Sequence, residues 1–300
     1  MSSLVQSQQR SLGTLPPVGA IAYGQWRFTD EDLGAGQALL EAALDSGMNL
    51  IDTADVYGFD WGGTGFGQVE EILGRILASS PGLRDRMVLA TKGGIAPPTP
   101  YDSSPKYLRS ACESSLQRLQ TDVIDLYQIH RPDMFTHPAD VAITLNALRD
   151  EGKIREVGVS NHTPAQVAAL QAHLEFPIAS NQPEFSALTL DPMRDGTLDQ
   201  CMELRITPMA WSPLAGGRLA SGTDIPADLL AVLDRLAERE GVDRSQLALA
   251  FVLAHPSAPI AIIGSQNADR IRSSNAALAV TLDRTDVYDI VQASEGVPLP

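Results

Sequence analysis

The alternation of short apolar runs with amphipathic segments constrains the fold of this chain more than any other feature. Eight apolar runs begin near residues 18, 49, 87, 123, 154, 177, 206 and 260, and segments with helical spacing of apolar residues lie between them. Alternating strands and helices imply a parallel sheet. Eight such units within about 280 residues match one closed barrel. The sequence therefore predicts an α/β fold, a (β/α)8 TIM barrel with a parallel, eight-stranded, closed sheet.

An open, doubly wound sheet is the main alternative to the barrel. Such sheets usually carry the turn G-x-G-x-x-G after their first strand, and the stretch from Gly62 to Gly67 comes close but lacks that spacing. No linker or shift in composition divides the chain. We expect one barrel domain over residues 1–300, with a polar N-terminal extension at about 1–14. A C-terminal tail at about 280–300 should hold a short helix near the barrel mouth.

Local patterns predict several element boundaries. Helices are expected at 105–119 and 227–240, where apolar residues recur at helical spacing. A brief strand is expected at 177–180, and further helices at 192–204 and 267–278.

Charge and cysteine content limit the classes of partner. The formal net charge of −15 argues against non-specific binding to nucleic acid. The two cysteines, Cys112 and Cys201, have the spacing of neither a disulfide framework nor a metal site, and the five histidines form no coherent ligand set. No apolar run approaches the ~20 residues of a membrane span, and residues 1–14 lack the apolar segment of a secretory signal. We expect a cytoplasmic protein without metal, nucleic acid or membrane partner. The sequence leaves the oligomeric state open, with a monomer slightly favoured.

Ionisable residues stand at the carboxyl ends of three predicted strands. These are Asp52, Lys92 and His130, and Tyr57 follows the first of them by five positions. One such residue alone is ordinarily structural, as a helix cap, a snorkelling lysine or a hydrogen-bonded core histidine. In a parallel barrel, however, these strand ends converge on the face that carries active sites. Their coincidence favours a functional site.

The four side chains form a coherent acid–base group. A tyrosine titrates near ~10 and is a weak acid at neutral pH. A nearby ammonium lowers that pKa, and a buried lysine needs a carboxylate to stay charged. The sequence thus predicts that Tyr57 is a general acid for a carbonyl oxygen and titrates below its free value because of Lys92. Asp52 should hold Lys92, and His130 should orient or polarise the carbonyl.

Several longer segments resemble one known family. They are Asn49–Gly58, Thr91–Gly93, Thr121–Pro132, Gly152–Arg155, Val157–Asn161, Asn181–Gln182 and Ala210–Leu214. In order and spacing they resemble the aldo-keto reductases over residues 15–280. The resemblance implies a (β/α)8 barrel whose Asp–Tyr–Lys–His tetrad corresponds to Asp52, Tyr57, Lys92 and His130.

The resemblance also implies a nicotinamide cofactor, bound without a Rossmann turn. The positions that hydrogen-bond its carboxamide correspond to Ser160, Asn161 and Gln182, and Trp211 corresponds to the aromatic residue that stacks on the nicotinamide ring. Ser212, Leu214 and Gly216 correspond to the loop that holds the pyrophosphate. Outside this context, Trp211 reads as a barrel-core aromatic and Asn161 as a helix cap.

The adenosine end departs from the family pattern. Gly264 precedes Ser265 where the family often has a lysine, while Arg270 keeps the phosphate-binding arginine. The adenine-contacting asparagine is displaced by one position to Asn275, and Ser274 stands at the usual spacing. NADP(H) is the favoured cofactor, and NAD(H) remains a possible one.

The resemblance predicts an NADP-dependent oxidoreductase that transfers hydride between nicotinamide and a carbonyl or alcohol. The alternative is a cofactor-binding regulatory or redox-sensing subunit with little turnover, because such a subunit can keep the whole tetrad. Four aromatic residues are candidate walls of the substrate pocket or, alternatively, anchors that pack the loops: Trp26, Phe59, Trp61 and Phe66.

Overall fold

The computed structural model describes residues 3–60 and 62–299, and its centre is a closed parallel barrel. The strands pair in chain order, and β8 pairs with β1 to close the sheet. This confirms the predicted (β/α)8 barrel. The strands are β1 (Ile21–Gly24), β2 (Leu50–Asp52), β3 (Val88–Gly93), β4 (Ile124–Ile129), β5 (Ile154–Ser160), β6 (Ser180–Gln182), β7 (Thr207–Ala210) and β8 (Ile260–Ile263).

Helices surround this sheet. Those within the described residues are α1 (Leu33–Asp45), α2 (Gln68–Ser79), α3 (Pro105–Leu119), α4 (Pro138–Asp150), α5 (Pro164–Gln171), α6 (Thr197–Leu204), α7 (Arg218–Ser221), α8 (Ala227–Glu240), α9 (Arg244–Leu253), α10 (Ala268–Ser273) and α11 (Arg284–Glu295). Across the two described ranges, no helix has the length and apolarity needed to cross a bilayer.

Side-chain caps begin several of these helices where the sequence changes from loop to helix. Ser104 accepts a hydrogen bond from the Tyr107 amide at the start of α3, and Pro105 supplies the fixed φ that suits a first helical position. Thr163 and Gln166 form a capping box at the start of α5. The cap of α3 explains why its predicted bounds agree with the structure. The predicted bounds of α8 also agree, although it has no side-chain cap, because Pro226 precedes the helix and Gly241 ends it in the left-handed region.

The barrel interior is mainly apolar in its lower part, apart from Glu156, which binds Thr14 of the N-terminal segment, and polar in its upper part. Successive side chains of a strand point to opposite faces. Leu50 and Asp52 therefore point inward together, as do Leu126 and Gln128. Leu12 and Leu15 of the N-terminal segment join the apolar cluster that fills the lower part. The polar residues above it form the floor of the site described below.

Some predicted boundaries differ from those of the structure. The sixth strand is Ser180–Gln182 rather than 177–180, because its own residues are polar and escape a search for apolar runs. The helix expected at 192–204 divides into a short 3-10 turn at Asp191–Met193 and α6, with Gly196 in the left-handed region between them. The helix expected at 267–278 is α10 followed by the 3-10 segment Ser274–Ala279. The predicted tail helix is α11, which packs against α8.

Candidate active site

The upper end of the barrel brings three of the four predicted acid–base residues into direct contact. Lys92 Nζ lies 2.6 Å from Asp52 Oδ2 and 3.3 Å from Tyr57 Oη. It also donates to the Thr53 carbonyl oxygen at 2.9 Å. The His130 ring lies edge-on to the Tyr57 ring, with the centroids 5.8 Å apart. Residues separated by 78 positions of sequence thus share one site because neighbouring parallel strands end at the same edge.

Lys92 remains charged although it is fully buried. Burial would lower its pKa, but the Asp52 carboxylate and the Tyr57 hydroxyl outweigh that effect, so the pKa of Lys92 is raised. The site therefore keeps a fixed positive charge beside the Tyr57 hydroxyl.

The pKa of Tyr57 differs from the expectation based on the sequence. The prediction that it titrates below its free value is wrong, because burial raises the pKa of the Tyr57 phenol more than the Lys92 ammonium lowers it. The folded protein thus holds Tyr57 as a neutral phenol at neutral pH. That is the protonation state a proton donor requires.

His130 is a neutral imidazole. Burial, followed by the charges of Lys92 and Arg131, lowers its pKa well below the usual value. Its Nδ1 atom is buried and has no hydrogen-bond partner in the described part of the chain. A neutral ring beside Tyr57 can direct a nitrogen at a polar substrate atom without adding a further charge.

Asp52 has two further partners, of which the sequence analysis missed one. Its Oδ1 atom accepts hydrogen bonds from Gln128 Nε2 and Gln182 Nε2, both at 3.1 Å. Gln128 lies inside β4, a strand of mostly apolar residues. The sequence signal that could have identified Gln128 is a single amide side chain on the inward face of this strand.

The residues expected to bind the carboxamide also form one connected group. Ser160 Oγ donates to the Gln182 backbone carbonyl at 2.9 Å, and Asn161 Nδ2 donates to Ser160 Oγ at 2.8 Å. Trp211 Nε1 donates to Asn161 Oδ1 at 2.9 Å. The Gln182 Oε1 atom accepts no hydrogen bond from any described residue. A free amide oxygen beside a partly exposed indole fits the carboxamide and ring of a nicotinamide.

The loop after β7 contains the expected pyrophosphate residues. Ser212 and Gly216 both have positive φ, and the Gly216 amide donates to Ser212 Oγ at 2.9 Å. Leu214 precedes the 3-10 turn Ala215–Gly217. Tight turns of this kind leave backbone amides available to an anion.

The expected adenosine-binding residues divide into two groups. Gly264 and Ser265 follow β8, and Arg270 lies exposed on α10 near them. Ser274 Oγ donates to the Arg270 carbonyl oxygen at 2.8 Å, so it stays on this side. Asn275 instead donates its amide to the Ser46 carbonyl oxygen at the end of α1, at 2.6 Å.

Three of the four candidate substrate-pocket residues lie in loops that follow the strands. Trp26 follows β1, while Phe59 and Phe66 flank the Gly-rich loop before α2, and all three are exposed at the surface. The Arg118 guanidinium stands 5.8 Å from the Phe66 ring centroid. Trp61 lies outside the described residues.

Arg131 is a second residue that the sequence analysis missed. It directly follows His130, and its guanidinium stands 5.7 Å from the centroid of the Trp211 ring. Its charge acts on the pKa of Tyr57, His130 and Glu184, which places it among these groups at the barrel mouth. A cation at this position offers several N–H donors to a polar substrate.

The fold is a (β/α)8 barrel, and comparison with known proteins places the chain among the oxidoreductases of this fold. The sequence model of the Aldo/keto reductase family matches residues 20–295. The chain belongs to this family, whose members generally use NADH or NADPH. A 6-dehydroglucose reductase of Novosphingobium aromaticivorans is 50% identical over 286 residues, which cover 94% of each chain. A second protein of that name, from Agrobacterium fabrum, is 36% identical and aligns over 96% of this chain and 98% of its own. The solved structure of a glycerol dehydrogenase from Gluconobacter oxydans is 29% identical, with a TM-score of 0.84 over 98% of this chain and 97% of that one.

Proposed function

We propose that this protein is an NADPH-dependent carbonyl reductase in which Tyr57 donates the proton. The contact of Lys92 with both Asp52 and the Tyr57 hydroxyl is the observation that carries this proposal. It joins a neutral phenol to a permanently charged ammonium at the mouth of the barrel. In the family, hydride comes from C4 of the bound nicotinamide.

Each residue of the group then has a defined task. Tyr57 donates its phenolic proton to the carbonyl oxygen as negative charge develops there, and Lys92 stabilises the phenolate that remains. Asp52 keeps Lys92 protonated and positioned. His130, which is neutral, points a ring nitrogen toward the substrate oxygen and adds no competing charge. In the oxidative direction the phenolate of Tyr57 takes the proton back.

We propose NADPH rather than NADH as the preferred cofactor because of Arg270. Its exposed guanidinium lies at the start of α10, close in sequence to Ser265. An arginine can bind a 2′-phosphate bidentately, whereas NADH offers only a hydroxyl at that position. Gly264 supplies no second cation, so NADH should remain a weaker alternative.

The substrate that we propose is a polyhydroxylated aldehyde, with 6-dehydroglucose as the first candidate. Two relatives that align over nearly their whole lengths carry the name 6-dehydroglucose reductase. Arg131 and the nearby Glu184 add a donor and an acceptor at the mouth, which suits a ligand with several hydroxyls. Reduction of the aldehyde at C6 would yield the primary alcohol, glucose. We place this activity in the cytoplasm, with a small molecule as partner.

Steady-state assays with purified protein test this function. NADPH oxidation should be measured with 6-dehydroglucose and with propanal, and we expect the larger kcat/KM for the sugar aldehyde. Tyr57→Phe should nearly abolish turnover and leave cofactor binding intact, because only the proton donor is removed. Retention of more than about a tenth of wild-type activity would contradict the role of Tyr57. Normal cofactor binding without turnover of any aldehyde would favour the regulatory alternative.

A fluorescence titration tests the choice of cofactor. Arg270→Ala should weaken NADPH binding roughly ten- to a hundredfold, since a charged hydrogen bond is worth about 1.5–3 kcal/mol. Binding of NADH should change little. Arg272→Ala is the matched control, because Arg272 lies on the same helix and pairs with Asp269 at 3.1 Å. Equal losses for both cofactors in Arg270→Ala would indicate a structural arginine instead.

A further inference from the structure

Asp52 joins two buried systems that the proposed mechanism treats separately. Its Oδ2 atom binds Lys92 of the acid–base group, while its Oδ1 atom accepts from Gln128 and Gln182. All four side chains are at most 2% exposed. Gln182 is also the residue whose free Oε1 atom suits a carboxamide. A buried hydrogen-bond chain therefore runs from Gln182 through Asp52 and Lys92 to the Tyr57 hydroxyl.

Asp52 and Gln128 together determine the orientation of the Gln182 amide. A carboxylate paired with an ammonium only accepts hydrogen bonds, so each glutamine must present its nitrogen to Oδ1. Gln182 Nε2 also donates to Gln128 Oε1 at 3.3 Å. Both hydrogens of the Gln182 amide nitrogen are thereby engaged inside the barrel. A rotated amide would lose both bonds and would place its oxygen against two other oxygens.

We propose that Gln128 is a positioning residue that holds the Gln182 amide with its Oε1 atom toward the cofactor carboxamide. Gln182 then accepts a hydrogen bond from the carboxamide N–H. The same contacts supply hydrogen bonds to the second oxygen of Asp52, so the cofactor subsite and the Lys92–Tyr57 pair share one buried carboxylate. This inference rests on the proposed use of a nicotinamide cofactor.

The role differs from simple packing in a measurable way. A residue that only fills space would affect all ligands of the site equally. A residue that orients Gln182 affects specifically those ligands that donate a hydrogen bond to its oxygen. The 3-acetylpyridine analogue of NADP⁺ carries a methyl ketone in place of the carboxamide and cannot make this donation.

Binding of NADP⁺ and of its acetylpyridine analogue should therefore be compared by tryptophan fluorescence. The wild-type protein should bind the analogue roughly tenfold more weakly, which is the scale of one hydrogen bond. In Gln128→Met, one of the two hydrogen bonds that orient Gln182 is lost, so NADP⁺ binding should weaken while binding of the analogue changes little, and the preference for NADP⁺ should shrink. Methionine keeps the length of the side chain and removes the amide.

Gln171→Met is the matched control. Gln171 uses its amide to bind the Phe176 carbonyl and the Ile178 amide, both at 2.8 Å, beyond the opposite end of β6 from Gln182. We expect this variant to lose stability while it keeps the wild-type preference for NADP⁺. Gln128→Leu provides a second variant if Gln128→Met does not fold, as judged by circular dichroism.

The inference is overturned if the Gln128 variants keep the wild-type preference, or if the wild-type protein shows no preference. A protein that binds NADP⁺ but reduces no aldehyde would contradict the proposed function alone, because the binding comparison requires no turnover. Failure of the wild-type protein to bind either ligand would contradict both.

Discussion

Two buried ion pairs lie on opposite faces of the same part of the barrel wall. Inside the barrel, Lys92 pairs with Asp52 at 2.6 Å. Outside it, Arg118 of α3 pairs with Glu70 of α2 at 2.7 Å. Two consecutive residues of β3 serve the two pairs. Thr91 points outward and its Oγ1 donates to Glu70 Oε1 at 2.5 Å, whereas Lys92 points inward and is the cation of the inner pair.

The surroundings of the two pairs differ. The inner pair contacts the Tyr57 hydroxyl at the barrel mouth, where a substrate can approach. The outer pair contacts Thr91 and Ser115 and lies between the sheet and two helices. Gly74 lets those helices approach closely, because a Cβ there would stand 1.9 Å from the Arg118 carbonyl oxygen. A buried ion pair is therefore insufficient to define an active site, and contact with an accessible acid makes the difference.

Removal of the inner cation should have the largest effect on activity. Lys92→Met should reduce carbonyl reduction by several orders of magnitude, because no charge remains to stabilise the phenolate of Tyr57. Cofactor binding, measured by fluorescence, should persist. The free energy of unfolding should fall by at most about 3–5 kcal/mol, the cost of an unpaired buried charge. The two glutamines at Asp52 Oδ1 should soften that loss.

The pH dependence of alcohol oxidation distinguishes the loss of the Lys92 charge from the loss of its side-chain packing. The Lys92 ammonium lowers the pKa of Tyr57 relative to the effect of burial alone. Residual activity of Lys92→Met should therefore reach its plateau at higher pH than that of the wild type. The double variant Lys92→Met with Asp52→Asn should regain stability but not activity. Superimposable pH profiles would reduce Lys92 to a structural role.

Removal of the outer cation, Arg118, should lower stability but leave activity largely intact. Arg118→Met leaves Glu70 buried without its partner and should cost about 3–5 kcal/mol of unfolding free energy. Its kcat at a temperature where the variant stays folded should remain within about tenfold of the wild type, because Arg118 touches none of the acid–base residues. Denaturant unfolding and steady-state assays check the two expectations. Glu70→Gln in the same protein should restore much of the stability, and loss of activity comparable to that of Lys92→Met would break the contrast.

The smallest effect should come from Asp55, which lies near the outer pair. Both of its carboxylate oxygens are buried without a hydrogen-bond partner among the described residues. Burial and then the Glu70 charge raise its pKa well above the usual value, against the opposing charges of Arg118 and Lys92. Because the folded state holds this proton more tightly than the unfolded state, Asp55 costs stability as pH rises above its unfolded pKa.

Asp55→Asn should therefore gain stability at neutral pH, by about 1 kcal/mol, the scale of an ordinary single substitution. The gain should shrink as the pH falls toward about 4, where the unfolded chain also protonates Asp55. Urea unfolding at several pH values measures this. If Asp55→Asn is less stable than the wild type at neutral pH, the Asp55 carboxylate is ionised in the folded state and makes a stabilising interaction, contrary to this expectation.

Most of the fold could be predicted from sequence because its signals are local. The bounds of α3 and α8 follow from helical periodicity together with Pro105 and Gly241 at their ends. The predicted position of β6 is too early in the sequence because Ser180, Asn181 and Gln182 are polar. A search for runs of apolar residues finds only strand residues that pack in the core. Gln182 of this strand is also one of the candidate cofactor contacts, so the error in the strand boundary fell on part of the site.

The sequence by itself determined the barrel, the family and the presence of Asp52, Tyr57, Lys92 and His130 at strand ends, because periodicity and residue type depend on near neighbours. Only the tertiary structure decided how these groups titrate. Burial reversed the expected direction for Tyr57, and a hydrogen bond across 76 positions of sequence joined Gln128 to Asp52. Desolvation and charge interactions sum over groups that folding brings together, and no local pattern contains that sum.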